Sequence, residues 1–365
     1  MKYDYLVVGA GLYGSTIANL LANNNKRVLI IDKRQIFGGN CSTIKYDDYY
    51  IHVHGAHIFH TSNKEVWDFV NKFSKFNNFI NSPKAVYYNH LYSLPFNMNT
   101  FYEIFNVKTK LEAIKILENE KIKFENPSNL EEQALSLVGK TIYEKLIKHY
   151  TEKQWGKSCK ELSPDIIKRI PVRFTYNNNY FNDEYQGIPV DGYSKLVENI
   201  LKHSNITVKL GIDFLQNRTE LEKICNKIIY TGSIDEYYAY RYGKLQYRSL
   251  NFEHKLYIDD FQSMPVKNYT DNLVKYTRTI EHKYFTKDSK STNSVVSFEY
   301  PCMYNGNNER YYPLQDKVNL ELYQKYVNIK NNKVFFGGRL GKYKYFDMDK
   351  TILEAMNDFE VLKNE

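Results

Sequence analysis

Arginine is scarce in this chain, ten residues in 365, and its placement is uneven. Arg169 and Arg173 stand in "IIKRIPVRFTYNNNYF", Arg248 in "YRSLNFE", Arg278 in "KYTRTIEHKYF", Arg310 in "NERYYPL" and Arg339 in "FFGGRLG". A guanidinium is planar, permanently charged and forked, so it grips phosphate or carboxylate through parallel hydrogen bonds that lysine cannot reproduce. Each could be half of a structural ion pair; as a group beside tyrosines they predict an anionic ligand. "IHVHGAHIFHT" raises a second chemistry, because His52, His54, His57 and His60 are close enough for zinc or iron, and the H-x-H pair would place two on one face of a strand. No cysteine or carboxylate nearby completes such a set, so no metal is expected. Gly55 suits a close backbone approach instead, which leaves these residues as core histidines or, for His57 and His60, as neighbours of a flat cofactor. In "HYTEKQWGK", Tyr150, Thr151 and Trp155 end an amphipathic helix; they could be core, or their crowd of polar neighbours could share the rings with a planar ligand.

These side chains need a scaffold, and the N-terminus supplies one. "YDYLVVGAGLYGSTIANLLANNNKRVLIIDKR" runs from an apolar strand, Tyr5 to Val8, through Gly9, Gly11 and Gly14 into an apolar helix, then into a second strand, Val28 to Ile31, that ends on Asp32. Gly9 permits the tight turn, Gly11 the approach of a pyrophosphate, and Gly14 close helix–strand packing. The helix N-terminus offers N–H groups to the anion, and Asp32 stands where a carboxylate binds a ribose hydroxyl. A second turn, Gly38, Gly39 and Asn40 in "KRQIFGGN", favours FAD over NAD because the longer flavin end needs room beyond the pyrophosphate.

Length allows two or three packed units. Cys41, Cys159, Cys225 and Cys302 stand singly, which argues against a zinc site or disulfide framework and predicts free thiols in a reducing cytoplasm. No apolar run reaches membrane-spanning length, and the first is neither anchor nor signal peptide. The net charge of +8 comes from scattered lysines, which reads as a solvated surface without a nucleic-acid face.

The pattern predicts an α/β fold: a Rossmann-like dinucleotide domain with an inserted helical bundle and an antiparallel β-sheet domain. The expected segments are 1–75 for the first part of the nucleotide domain, 76–98 for sheet, 99–170 for helices, and 171–190 for sheet again. The nucleotide domain resumes over 191–240, sheet returns over 241–315, and the nucleotide domain closes the chain over 316–365. Strands rich in aromatics are expected from Phe174, and the cap-like Ser163 to Asp165 predicts a following helix. "NKIIYTGS", with Gly232, and "KVFFGGRLGKYKYFDMDK" read as that domain resuming.

The motifs "GAGLYG", "HGAHIFHT", "YTEKQWG", "KRIPVRFTYNNNYF", "YTRTIEH", "RYYP" and "FGGRLGKYKYFDMD" together resemble, in order and spacing, the bacterial UDP-galactopyranose mutases over almost the whole chain. The resemblance implies reduced FAD, kept reduced by NAD(P)H or another donor, and redox-neutral interconversion of UDP-galactopyranose and UDP-galactofuranose for cell-surface polysaccharide through a covalent adduct at flavin N5. It implies a cytoplasmic enzyme without integral membrane association, and allows a homodimer. Arg169, on a loop that closes over substrate, and Arg278 would hold the diphosphate. Tyr150 would stack on uracil, with Thr151 and Trp155 bordering the nucleotide and sugar, and Tyr180 and Phe181 would line its channel. Tyr311, or the adjacent Tyr312, and Tyr345 would donate to phosphate, and Arg248 and Asp347 would add polar contacts. His57 and His60 would flank flavin and sugar. The cofactor would be held by Gly9, Gly11, Leu12, Gly14, Asp32, Lys33, Arg34, Gly39, Asn40, His57, Ile58, Gly232, Arg339, Asp347 and Met348. The chain departs from the family at Leu146 and Ile147, where aromatics are common, and at Asp32, where Glu is more frequent. An amine or porphyrinogen-type oxidase sharing the FAD domain would need an apolar pocket and consume an acceptor; a non-catalytic nucleotide-binding module would purify colourless.

Overall fold

The computed structural model describes residues 2–167 and 171–363. Two compact units are present: residues 1–78, 183–249 and 304–365 form the first, and residues 79–182 and 250–303 the second.

The first unit is built on five parallel strands, in the spatial order Val334–Phe336, Cys225–Tyr230, Tyr3–Val8 (β1), Val28–Asp32 (β2) and Ile206–Leu210. Helices cover a parallel sheet on both faces, so its inner strands are continuous apolar runs, and all five residues of β2 are buried. Leu6, Leu29, Ile228 and Val334 join four sequence-distant strands in one apolar cluster. The helix Leu12–Asn23 (α1) follows β1 and packs on the C-terminal helix Met348–Leu362. Thus the α/β fold expected from the fingerprint is present, with chain from three separate stretches completing one sheet.

Two small antiparallel ribbons flank this sheet: Thr43–Tyr46 with Tyr49–His52, and Phe59–Thr61 with Tyr185–Gly187. The first corrects one expectation. Its strand ends at His52, and the chain then turns through Gly55 at φ +98°, so His52 and His54 do not share a strand face.

The second unit combines helices with a sheet. Its strands lie in the order Leu250–Ile258, Asn293–Met303, Arg278–Glu281, Val266–Tyr269, Lys84–Tyr87 and His90–Ser93, the first being the remainder of a strand that starts at Tyr247. Arg278–Glu281 pairs antiparallel with both of its neighbours and Lys84–Tyr87 antiparallel with His90–Ser93, while Val266–Tyr269 runs parallel to Lys84–Tyr87. Helices Met98–Phe105, Lys110–Glu120 and Leu130–Ile142 precede a π-helical turn, Tyr143–Ile147, which leads into the helix Lys148–Trp155. That turn puts Leu146 and Ile147 into the apolar core with Phe101 and Val138. Two local expectations hold only in part. Between 171 and 182 only a bridge from Val172 to Phe96 forms, because Arg173 donates to the Asn179 carbonyl and the Asn182 side chain and holds a loop. Ser163 caps only a short 3-10 turn, Pro164–Ile166. Among the described residues no helix is long and apolar enough to cross a membrane.

Candidate functional site

The turn after β1 admits only glycine at two points. Gly9 has φ +109°, and a Cβ there would lie 2.1 Å from Thr231 Oγ1; a Cβ on Gly14 would lie 1.9 Å from the Gly9 carbonyl oxygen. No side chain caps α1, so its first-turn N–H groups remain available to an anion. Asp32 fastens the turn: its Oδ2 accepts from Ala10 N at 2.8 Å and its Oδ1 from Arg34 N at 2.8 Å. The second glycine turn is tied to the first, with Gly38 N donating to the Ala10 carbonyl at 3.0 Å and a Cβ on Gly39 only 3.3 Å from Gly11 Cα.

One cleft in this unit is lined by thirteen of the fifteen residues expected at the cofactor: Gly9, Gly11, Leu12, Gly14, Asp32, Lys33, Arg34, Gly39, Asn40, His57, Gly232, Arg339 and Met348. Ile58 is buried outside it, and Asp347 instead begins the C-terminal helix. Bare glycine backbone, an uncapped helix N-terminus and an acid at the end of β2 fit a dinucleotide. Sequence reasoning missed Ile212 to Leu215, Glu236, Glu309 and Thr351, which also line the cleft. The first four follow the strand Ile206–Leu210; a signal lay in the rule that residues beyond the carboxyl ends of parallel strands face the ligand.

Charge inside the cleft is largely paired. Arg34 Nη2 lies 2.6 Å from Glu309 Oε2 and 3.0 Å from Asn40 Oδ1. Burial pushes the Glu309 carboxyl up, but Arg34, with Lys33 and His54 adding to it, holds the group below its ordinary value. Arg310 is buried, with Nη1 2.9 Å from Glu236 Oε2 and its guanidinium 4.3 Å from the Tyr304 ring centroid. Arg310 and Arg173 therefore do structural service.

Among the histidines, His52 Nδ1 accepts from His57 N at 3.1 Å, and His57 Nδ1 lies 2.7 Å from the Gly55 carbonyl. His54 Nδ1 is 2.8 Å from the Tyr311 hydroxyl, and His60 Nδ1 is 2.6 Å from Asp183 Oδ2. Among the described residues no group of three His, Cys, Asp or Glu is placed to hold a metal ion.

A tyrosine and arginine group also belongs to the first unit. Tyr312 pairs in register with Arg248, so both side chains leave the same face, and the Tyr312 ring lies 5.5 Å from that of Tyr345. The Arg339 guanidinium sits 4.4 Å from the Tyr345 centroid, and the Tyr345 hydroxyl donates to Asp347 Oδ1 at 3.1 Å. Tyr345 is 43% exposed, whereas Tyr311 is 4% exposed and directed to His54. Of the two adjacent tyrosines, Tyr312 is the one beside Tyr345.

In the second unit Arg278 is held from three sides. Nε donates to Asn268 Oδ1 at 3.1 Å, Nη2 to the Tyr150 hydroxyl at 3.1 Å, and Nη1 to Glu299 Oε2 at 3.4 Å. Burial raises the Tyr150 phenol, with the Arg278 charge opposing. Lys153, on the same helix as Tyr150, donates to the carbonyls of Tyr269, Val274 and Tyr276 at 2.8, 3.3 and 3.2 Å, which pins that helix to the hairpin carrying Arg278. Sequence reasoning counted Lys153 only among the polar neighbours of the rings and passed over Asn268 and Glu299. Thr151 is buried, Trp155 packs partly against the helical core, and Tyr180, 40% exposed, meets Phe181 edge-on at 5.5 Å. Arg169 lies outside the described residues.

A glycine-walled cleft at the carboxyl ends of a parallel sheet, in a chain carrying a second unit of sheet and helices, defines a dinucleotide-binding protein of the Rossmann type. An NAD(P)-binding Rossmann-like profile matches residues 7–73, and a UDP-galactopyranose mutase profile matches residues 145–345. A probable UDP-galactopyranose mutase of Klebsiella pneumoniae is 40% identical over 359 residues, covering 97% of this chain and 93% of its own. A dTDP-fucopyranose mutase of Escherichia coli is also 40% identical, over 96% of each chain. The chain belongs to the UDP-galactopyranose mutase family. A crystal structure of reduced UDP-galactopyranose mutase shares the fold at a TM-score of 0.72 and 13% identity, covering 100% of this chain and 96% of that one.

Proposed function

We propose that this chain is a flavin-dependent mutase that interconverts UDP-galactopyranose and UDP-galactofuranose without net redox change. The observation that carries the reading is Arg278, a guanidinium held by Tyr150, Asn268 and the buried Glu299, in a chain that also builds a dinucleotide cleft. FAD is the proposed dinucleotide, kept reduced by NAD(P)H or another donor. When bound in that state it supplies a nucleophilic nitrogen for the anomeric carbon.

The remaining work falls to protein groups. Breaking the anomeric C–O bond leaves charge on the UDP diphosphate beside an oxocarbenium-like sugar. Arg278 and Arg169 are proposed to take up that charge, each charge-assisted hydrogen bond being worth about 1.5–3 kcal/mol. In the first unit the proposed phosphate donor is the Tyr312 hydroxyl. Asn268 and Glu299 fix the plane of the Arg278 fork, so little reorganisation is left for the transition state. Tyr150, Thr151, Trp155, Tyr180 and Phe181 receive the nucleoside, with aromatic stacking worth about 1–3 kcal/mol per base. Arg248 and Asp347 are proposed as further polar contacts, and His57 and Arg339 line the cleft proposed for the cofactor. Because Leu146 and Ile147 are buried in the helical core, they form no second face of the base clamp.

The test is to incubate dithionite-reduced and oxidised protein with UDP-galactofuranose under argon and separate the products. UDP-galactopyranose from reduced protein alone supports the reading; no conversion in either state, or stoichiometric oxygen uptake in air, defeats it. The dTDP-fucopyranose mutase that is equally similar favours a second reading, in which the sugar nucleotide is dTDP-fucopyranose. A higher kcat/KM for that substrate would select it.

A further inference from the structure

Lys153 and Tyr150 lie three positions apart in the helix Lys148–Trp155, so their side chains leave neighbouring points of one helix face. Lys153 Nζ donates to the carbonyls of Tyr269, Val274 and Tyr276, all in the hairpin that carries Arg278. That hairpin is itself fastened. Tyr269 N donates to the Thr277 carbonyl at 2.8 Å and Thr277 N to the Glu299 carbonyl at 2.9 Å, while Thr270 N reaches the Val86 carbonyl at 2.8 Å. Asp271 braces the turn, its Oδ1 accepting from Leu273 N at 2.9 Å and its Oδ2 from Tyr88 N at 3.0 Å. The three carbonyls therefore converge on the ammonium from a fixed backbone. Burial pulls Lys153 down to about 8, with Asp271 opposing, so at pH 7 the group is charged and carries three N–H donors for three carbonyls.

We infer that Lys153 is a positioning residue, holding the Tyr150 ring at a fixed spacing from the Arg278 fork so that one sugar nucleotide meets both. The inference rests on the mutase reading, in which Tyr150 receives the nucleoside and Arg278 the diphosphate. Tyr150 and Arg278 are also joined directly, through Nη2 at 3.1 Å, but that bond uses a donor that a diphosphate claims. A charged phosphate oxygen is a stronger acceptor than a phenol, so the ligand draws Nη2 away and the direct tie slackens as the site fills. The tie through Lys153 does not slacken, because its acceptors are backbone carbonyls and none belongs to Arg278. The helix thus keeps its place while Arg278 changes partner. Lys153 touches neither nucleotide nor sugar in this scheme. It acts through the ring and the fork whose separation it sets, and a rigid separation spares the entropy of assembling them around the ligand.

The experiment is calorimetry of UDP binding to the oxidised holoenzyme at about pH 7, for native protein, Lys153→Met, Tyr150→Ala and the double variant. Kinetics of the dithionite-reduced proteins with UDP-galactofuranose follow. Lys153→Met keeps the length of the side chain and removes its donors. It is expected to weaken UDP binding roughly tenfold in the native background and less than about threefold in the Tyr150→Ala background. KM should rise by a similar factor with kcat held within about threefold, because the contacts that Lys153 arranges are made equally in ground and transition states. Lys153→Gln returns part of the donor set, so its UDP affinity should fall between native and Lys153→Met, and it repeats the cycle if Lys153→Met does not fold. Equal losses in both backgrounds, native-like UDP affinity in Lys153→Met, or a fall in kcat with KM unchanged overturns the inference. Native protein that binds UDP with this coupling but fails to convert UDP-galactofuranose overturns the mutase reading and leaves the placement of Tyr150 standing.

Discussion

Arg278 donates through Nη2 to the hydroxyl of Tyr150 at 3.1 Å, across 128 positions of sequence. A cation so placed presents its fork and a phenol together, and Glu299, 2% exposed, balances part of the charge from behind.

Arg278→Ala removes a charge-assisted contact worth about 1.5–3 kcal/mol and should lower kcat/KM roughly 10- to 150-fold. Flavin content should stay normal, because the cleft that takes the dinucleotide belongs to the first unit. Near-normal turnover would remove Arg278 from the diphosphate site.

Tyr311 and Tyr312 should separate cleanly. Tyr312→Phe is expected to reduce kcat/KM about tenfold, since its hydroxyl is assigned to phosphate. Tyr311→Phe loses the bond to His54 and should cost about 1 kcal/mol of stability with little kinetic effect. Urea melts and steady-state rates on both variants check this, and the opposite pattern would reverse the assignment.

Gly14→Ala puts a Cβ 1.9 Å from the Gly9 carbonyl oxygen. The phosphate-facing turn must shift, so the variant should purify with little yellow colour and a lower Tm. Absorbance near 450 nm against protein concentration measures the loss.

Burial pushes Cys41 up to about 12 and Cys159 up to about 11, and raises Cys225 as well. At pH 8 the thiolate fraction of Cys41 is about one in ten thousand, which leaves it inert to disulfide reagents. Native protein should therefore titrate first at Cys302, whose side chain is partly exposed, and guanidinium should release all four. Mass spectrometry of the labelled peptide identifies the site.

The Arg34–Glu309 pair makes a pH-dependent contribution. Glu309 has a folded pKa below its ordinary value, so in acid the unfolded chain takes up its proton first. The stability it adds is fully present above the ordinary carboxylate range and is lost as pH falls through and below it. Arg34→Met should flatten this acid decline in thermal melts, and an unchanged slope would show that the pair contributes nothing.

The nucleotide-binding half was legible because its information is local. The strand, turn, helix, strand and acid from Tyr3 to Asp32 obey spacings set by backbone geometry alone, and Gly9 and Gly14 are the only residue type their surroundings admit. The cluster of arginines and tyrosines announced an anion for a similar reason, since residue type carries the chemistry. Which arginines are occupied within the fold was not legible: Arg310 meets Glu236 across 74 positions, and no short-range pattern encodes that distance. That Tyr312 and not Tyr311 stands beside Arg248 and Tyr345 came from strand register, where a shift of one residue sends a side chain to the opposite face. His52 and His54 looked like a strand pair until the turn at Gly55 separated them, and Asp183 had no signal at all until a three-residue ribbon set it against His60. Sequence by itself determined the cofactor-binding scaffold and the kinds of group available. Tertiary structure decided which groups meet, because pairing across more than a hundred residues depends on how sheets register and helices pack.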